Sequence, residues 1–200
     1  QQWIEGDDRR LRFGALYLDE GRILARFEGR KLRSMPPALG GTTAAEAYPD
    51  DLIFEATTRF FDGLGLSGPV SLEVKLDADG KPWVIEPTVG RTDYWVDCCT
   101  ANGVDLAFLE YAHMVGLPRP RVTPRRGAVW MDTERDPGCM LRGCAGSLRS
   151  FVGGPKIVFP YPFRGDPAPF RAGLERLIRT LAGRAIGRLT RRLRGIWRNS

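Results

Sequence analysis

Between Pro69 and Arg91 two apolar runs, Val70–Leu76 and Trp83–Ile85, close on Asp77-Ala78-Asp79-Gly80. A turn of this composition between short apolar runs predicts a β-hairpin. A two-residue loop pairs Asp77 with Gly80, a four-residue loop pairs Leu76 with Lys81, and both set Glu73 opposite Val84. Glu86 comes two residues later, so the side-chain period of two puts both carboxylates on one face. Diagonal neighbours sit about 7–8 Å apart, within joint reach of one cation. Such a pair either lines the solvated side of an amphipathic hairpin or faces something positive. Mg²⁺, a hard cation that takes carboxylates together with substrate phosphates, suits the second arrangement.

The residues after Glu86 narrow the choice. Glu86-Pro87-Thr88-Val89-Gly90-Arg91 places an oxygen-bearing side chain two residues after the carboxylate and a guanidinium five after it. At these residues the sequence resembles the ATP-grasp superfamily, whose members activate a carboxylate as an acyl phosphate. That family carries a Glu or Asp on one strand, then Glu-x-Asn on the next, often with an Arg nearby. By the resemblance, Glu73 and Glu86 hold Mg²⁺ and Arg91 stabilises the acyl phosphate or the incoming carboxylate. Thr88 falls where the family usually has Asn and still offers an oxygen to the metal.

The stretch Gln1-Gln2-Trp3-Ile4-Glu5-Gly6-Asp7-Asp8 reads as a strand entering a polar turn. It is similar to the segment that joins the two ATP-grasp lobes. The resemblance implies that Gln1, Gln2, Trp3 and Ile4 bind adenine and that Asp8 holds the ribose; read alone, Asp7 and Asp8 make an exposed turn. Leu11–Leu18 and Arg22–Phe27 flank Asp19-Glu20-Gly21, a second hairpin signal. Gly29-Arg30-Lys31-Leu32-Arg33 and Gly40-Gly41-Thr42-Thr43 then set three cations beside a Gly-rich loop. Fixed charge and free backbone N–H groups suit a polyphosphate, although a solvated basic turn has the same composition. By the resemblance Lys31 contacts the nucleotide phosphates, with Arg30 and Arg33 as the alternatives. The shared register predicts Glu73 and Glu86 in one cleft with Lys31 near its mouth.

Asp50 or Asp51 caps an expected helix running to about Gly63, with Leu52, Ile53, Ala56, Phe60 and Leu64 as its apolar stripe. A second helix is expected from Leu106 to Val115, closed by Gly116-Leu117-Pro118. His113, the chain's only histidine, lies in it as an ordinary helix residue. The four cysteines, Cys98, Cys99, Cys139 and Cys144, match no zinc spacing and read as reduced thiols. After Pro118 the chain is rich in Pro and Arg, with short strands expected at Val129–Met131 and Lys156–Phe163. Asp132-Thr133-Glu134 reads as a surface loop.

Residues 171–200 hold nine Arg and one acid, Glu175. That is +8, which against a net +6 for the chain leaves −2 for the other 170 residues. Phe170, Leu174, Leu177, Ile178, Leu181 and Ile186 recur among these arginines at helical spacing. A basic amphipathic helix fits an anionic membrane surface, a partner groove or its own domain. Sparse aromatics make nucleic acid the poorest fit.

The expected fold is α+β: an ATP-grasp C-terminal lobe of antiparallel hairpins with packed helices, plus a basic C-terminal helix. The expected division is 1–116 for the lobe, 117–169 for a Pro/Arg-rich extension and 170–200 for the helix. The resemblance implies a fragment of a ligase that uses ATP and Mg²⁺ to join a small-molecule carboxylate to an amine, the piece alone being inactive. The reduced thiols predict a cytoplasmic protein. The alternative is a non-catalytic binding module that docks on a membrane or protein through the basic helix.

Overall fold

The structure is a computed structural model that describes residues 2–132, 134–135, 156–159 and 165–197. Gln1, Thr133, Cys139, Cys144, Arg198 and residues 160–163 of the second expected short strand lie outside the described residues.

Seven strands form one sheet in the order β5-β4-β1-β2-β3-β6-β7. They are β1 (Leu11–Asp19), β2 (Arg22–Met35), β3 (Gly41–Ala47), β4 (Gly68–Leu76), β5 (Pro82–Val89), β6 (Ala128–Met131) and β7 (Lys156–Val158). All neighbours are antiparallel except β6 and β7. The helices are α1 (Asp51–Phe61), α2 (Val96–Ala101), α3 (Leu106–Met114) and α4 (Ala168–Trp197). This is the expected α+β order, hairpin then helix then hairpin. Two stretches differ from expectation. β2 runs on through Gly29 to Met35, and the Gly-rich stretch after it is itself strand β3. Strand pairing with β3 satisfies the backbone that a loop would have left open to a ligand.

The β1–β2 turn is Glu20-Gly21, both at positive φ, as a two-residue hairpin loop requires. In β1 the alternation divides two cores. Leu16 and Leu18 join Val70, Leu72 and Val74 of β4 under Ile53 and Phe61 of α1. Phe13, Ala15 and Tyr17 face the other way, packing with Trp95, Cys98, Cys99, Leu106 and Leu109 beneath α2 and α3. Asp50 caps α1 by accepting from the Leu52 N–H at 3.1 Å. Its buried stripe is Ile53, Thr57 and Phe61, whereas Leu52, Phe60 and Leu64 are exposed. Thr57 was absent from the expected stripe because it is polar. Its hydroxyl donates to the Ile53 carbonyl at 2.7 Å, and Gly14 leaves room for it against β1, where a Cβ would meet the Thr57 side chain.

β6 and β7 come from the stretch after residue 116 and extend the same sheet. Buried Asn102 fixes them to α2: its amide donates to the Cys98 and Ala128 carbonyls and accepts from the Ala128 N–H at 3.1 Å. α4 is tied to the body at Glu134, which Arg176 meets at 3.3 Å and against which Gly173 is buried. No helix among the described residues is long and apolar enough to cross a membrane.

Candidate functional site

α2 and α3 cover only part of their sheet face. At its other end β2, β4 and β5 leave an open cleft of about 290 Å³, closed at one side by the Leu39-Gly40 turn with the start of β3, Gly41-Thr42, and by Asp93-Tyr94-Trp95. Glu73, Glu86, Thr88, Ser71 and Lys31 all line it.

The carboxylates meet there by a route that differs from the expected one. The hairpin closes through a three-residue loop, with the Asp77 N–H donating to the Lys81 carbonyl at 3.0 Å and Gly80 at φ 82°. This sets Leu76 opposite Pro82 and Val74 opposite Val84, one residue away from the register read in the sequence. Continued unbroken, that register would put Ile85 opposite Glu73 and turn Glu86 to the other face. A bulge between Glu73 and Val74 takes up Ile85 as the extra residue, so that Glu73 pairs directly with Glu86. Direct cross-strand partners lie about 4.5–5.5 Å apart at Cβ, closer than the expected diagonal.

Lys31 is on the cleft's floor, not at its mouth. It is buried, and its ammonium lies 3.2 Å from Glu73 Oε1. Burial pushes the Glu73 carboxyl above the usual carboxylate range, while Lys31 pulls it back and Glu86 adds to the rise. Arg30 turns to the opposite side, where it pairs with Glu46 at 2.6 Å and lies over the Tyr48 ring. Arg33 lies two residues beyond Lys31 on β2.

The remaining expected residues divide between this cleft and other places. Thr88 is buried in the cleft, its hydroxyl donating to Asp93 Oδ1 at 3.4 Å. Arg91 is largely exposed, 3.9 Å from Asp93, and does not line the cleft. Asp8 is occupied within the fold: it accepts from the Ser34 N–H at 2.9 Å and from the Ser34 hydroxyl at 2.6 Å. Gln2, Trp3 and Ile4 line a second cavity of about 380 Å³ with Arg10, Asp77 and Trp83. Trp3 also lies over buried Lys75, its ring centre 5.2 Å from the ammonium. Lys75 lies two residues after Glu73 on β4 and pairs with Trp83, so the β4–β5 hairpin contributes residues to both cavities.

Sequence reasoning missed Asp93. It accepts hydroxyl hydrogen bonds from both Ser71 and Thr88, and so joins β4, β5 and the succeeding loop within the cleft. Tyr94 was missed as well. Burial raises its phenol pKa, opposed by a hydrogen bond with Thr42, and Arg135 lies 4.5 Å over its ring. The signal for both was Thr92-Asp93-Tyr94-Trp95, polar and aromatic residues directly after the hairpin.

The donor set bears on the implied metal. Among the described residues no three acids, cysteines or histidines gather as a ready-made cage. Two facing carboxylates in a cleft are nevertheless what Mg²⁺ uses when phosphates and water complete its shell. Glu73 and Glu86 therefore fit the ion. Thr88 fits less well, since its hydroxyl proton is directed at Asp93.

No protein-family model matches the sequence, and no curated protein does. Solved structures match the fold. An N5-carboxyaminoimidazole ribonucleotide synthetase, in complex with ADP, superposes with a TM-score of 0.54 over 76% of this chain and 40% of its own, at 13% identity. A biotin carboxylase from Campylobacter jejuni gives 0.49 over 64% and 30%, at 14% identity. An L-amino acid ligase from Bacillus licheniformis gives 0.47 over 62% and 33%, at 18% identity. The chain thus spans well under half the length of each. Of the three, the synthetase alone is similar enough to bear on the fold: the seven-strand sheet with its helices has the fold of part of that enzyme.

Proposed function

We propose that the chain is the nucleotide-binding lobe of an ATP-dependent ligase that joins a carboxylate to an amine. The observation that carries this reading is the Glu73–Glu86 pair, brought face to face by a bulge in an open cleft with a buried lysine beside it. A bulge that re-aims one carboxylate at another runs against electrostatic preference, and such features concentrate at functional sites.

In this reading Glu73 and Glu86 hold Mg²⁺, which when bound supplies charge neutralisation to the β- and γ-phosphoryl oxygens. Lys31 meets phosphate charge from the cleft floor. Trp3 and the Gln2–Ile4 backbone take the base end, one step along β4 and β5. The γ-phosphoryl passes from ATP to the acid's carboxylate oxygen, leaving ADP and an acyl phosphate. The amine then attacks the acyl carbon, inorganic phosphate departs, and the nitrogen loses a proton. Positioning and charge stabilisation do the chemistry, so no nucleophilic side chain is required. Arg91, exposed beside Asp93, acts only if it swings toward the acyl phosphate once substrates are in place. Asp8, hydrogen-bonded to Ser34, orders the entry to β1, and this reading gives it no ribose contact.

The test is ADP release from Mg·ATP over a panel of acids paired with amines, on the chain expressed with whatever its reading frame carries upstream. Turnover that needs both acid and amine and disappears in Glu86→Gln supports the ligase. Absence of turnover and of Mg·ATP binding overturns it.

A further inference from the structure

A polyphosphate needs a free cation in the cleft, and a divalent metal needs a free carboxylate. Here the cation and one of the two carboxylates that would serve are engaged with each other, Lys31 Nζ lying 3.2 Å from Glu73 Oε1. They stand on β2 and β4 with β1 between them, so the lysine stem reaches over β1 to make the contact. The Lys31 side chain is 5% exposed and that of Glu73 is 21% exposed, so water does little to replace a partner for Lys31 and replaces one only in part for Glu73. Separating such a pair leaves an uncompensated charge in a poorly solvated place.

Each ligand alone therefore meets an obstacle. A divalent cation taking Glu73 strands the Lys31 ammonium beside a like charge. A polyphosphate taking Lys31 strands the Glu73 carboxylate beside a like charge. Arriving together the two ligands remove both conflicts: Glu73 turns to the metal, Lys31 to the phosphate, and metal and phosphate neutralise one another. Coupling of this kind is reciprocal and amounts to about 5- to 150-fold in affinity.

We propose that Lys31 is the resident counter-ion of Glu73 and makes the cleft a conjoint site, one that takes a divalent cation and a polyphosphate together and holds either poorly alone. This rests on the assignment of Glu73 and Glu86 to the metal and of Lys31 to phosphate. It goes further by giving the ion pair itself a role, that of keeping the cleft closed to bare metal and to unmetallated phosphate.

The test measures each ligand separately on the whole chain. Mn²⁺ is titrated without nucleotide, with free ion monitored by electron paramagnetic resonance, against wild type, Lys31→Met and Glu86→Gln. Tripolyphosphate is titrated in chelator by calorimetry against wild type and Glu73→Gln. Lys31→Met is expected to bind Mn²⁺ about tenfold or more tightly than wild type. Its melting temperature should fall in chelator and recover with Mn²⁺, while that of wild type stays put. Glu73→Gln, which frees the lysine, is expected to bind tripolyphosphate about tenfold or more tightly than wild type. The two arms are independent, so failure of one variant to fold leaves the other decisive. Unchanged Mn²⁺ affinity in Lys31→Met, with binding still lost in Glu86→Gln, overturns the conjoint site and leaves the metal reading standing. No Mn²⁺ binding by any version, with no gain in Glu73→Gln, overturns both.

Discussion

One face of the sheet carries two regions built from the same strands. Toward Tyr17 and Ala25 it is roofed by α2 and α3 over Phe13, Trp95, Cys98, Cys99 and Leu109, all nearly inaccessible. Toward Lys31 and Glu73 no helix among the described residues roofs it, and its strands present an ion pair, a second carboxylate and two hydroxyls. Along β4 the change takes a few residues, since Ser71 and Glu73 come after Pro69 on the same side. Burial of apolar surface stabilises the first region and offsets the cost of the second, because a facing carboxylate pair and a buried ammonium contribute little to folding. On the proposed function the roofed end is the scaffold and the open end the working surface. Four changes test that division.

The largest effect concerns the roofed end. Cys98 and Cys99 are fully buried, and burial pushes the Cys98 thiol up to about 12. With Cys139 and Cys144 replaced by serine, reaction with a thiol reagent at pH 8 should be slowed by roughly 10³-fold or more against the unfolded chain, since core groups react only through near-global opening. Labelling at the rate of free cysteine would show that α2 does not close over the sheet. The same burial fixes a pH dependence. The folded thiol has the raised pKa, so its contribution is fully present below the ordinary value of 9.0 and is lost as pH climbs from there through about 12. Urea midpoints should therefore decline above pH 9, less steeply in Cys98→Ala.

Phe13→Ala comes next. Its ring packs 4.1 Å from that of Trp95 and lies over Gly29, where a Cβ would collide with it. Truncation should cost about 3–5 kcal/mol in denaturant unfolding. A loss below about 1 kcal/mol would mean that the roofed end is not the scaffold.

At the open end Lys31→Met should cost less, about 1–3 kcal/mol, because the abandoned Glu73 carboxylate keeps some contact with solvent. Denaturant unfolding at neutral pH in chelator measures it. A stabilised variant would show that the ion pair is a net burden and that apolar packing fills its place better.

How much of this was legible depends on which residue is asked. The two hairpins, the cap at Asp50 and the place of α1 could be read because turn chemistry and capping are local, but its apolar stripe was misread, Leu52, Phe60 and Leu64 being exposed. The placement of Glu73 against Glu86 was reached by the wrong path. The turn chose a three-residue loop and Ile85 bulged, and the two shifts together restored a shared face that neither gives alone. Loop length and bulges depend on packing across strands, so Asp77-Ala78-Asp79-Gly80 cannot reveal them. Lys31 was read as a loop cation because glycines flank it. Pairing of β2 with β3, which drew Gly29 to Met35 into strand, is non-local and puts the lysine inside. Asp8 and Arg91 were carried over from a family pattern, and here the fold commits one to Ser34 and leaves the other in solvent. Asp93 was passed over because no spacing rule links a loop acid to hydroxyls on two strands.

The smallest expected effect on stability separates the two regions most sharply. Glu86 is exposed on edge strand β5, and its pairing with Glu73 sets like charges opposite each other. Glu86→Gln keeps the shape and removes that repulsion, so unfolding should change by no more than about 0.5 kcal/mol, in either direction. The same substitution should nevertheless abolish Mg²⁺-dependent nucleotide binding, read by calorimetry on the chain expressed with whatever its reading frame carries upstream. A residue that matters to binding and hardly at all to folding belongs to a working surface. If Glu86→Gln unfolded the chain instead, the bulge at Ile85 would be a device for holding β5 on the sheet, and the open end would be scaffold after all.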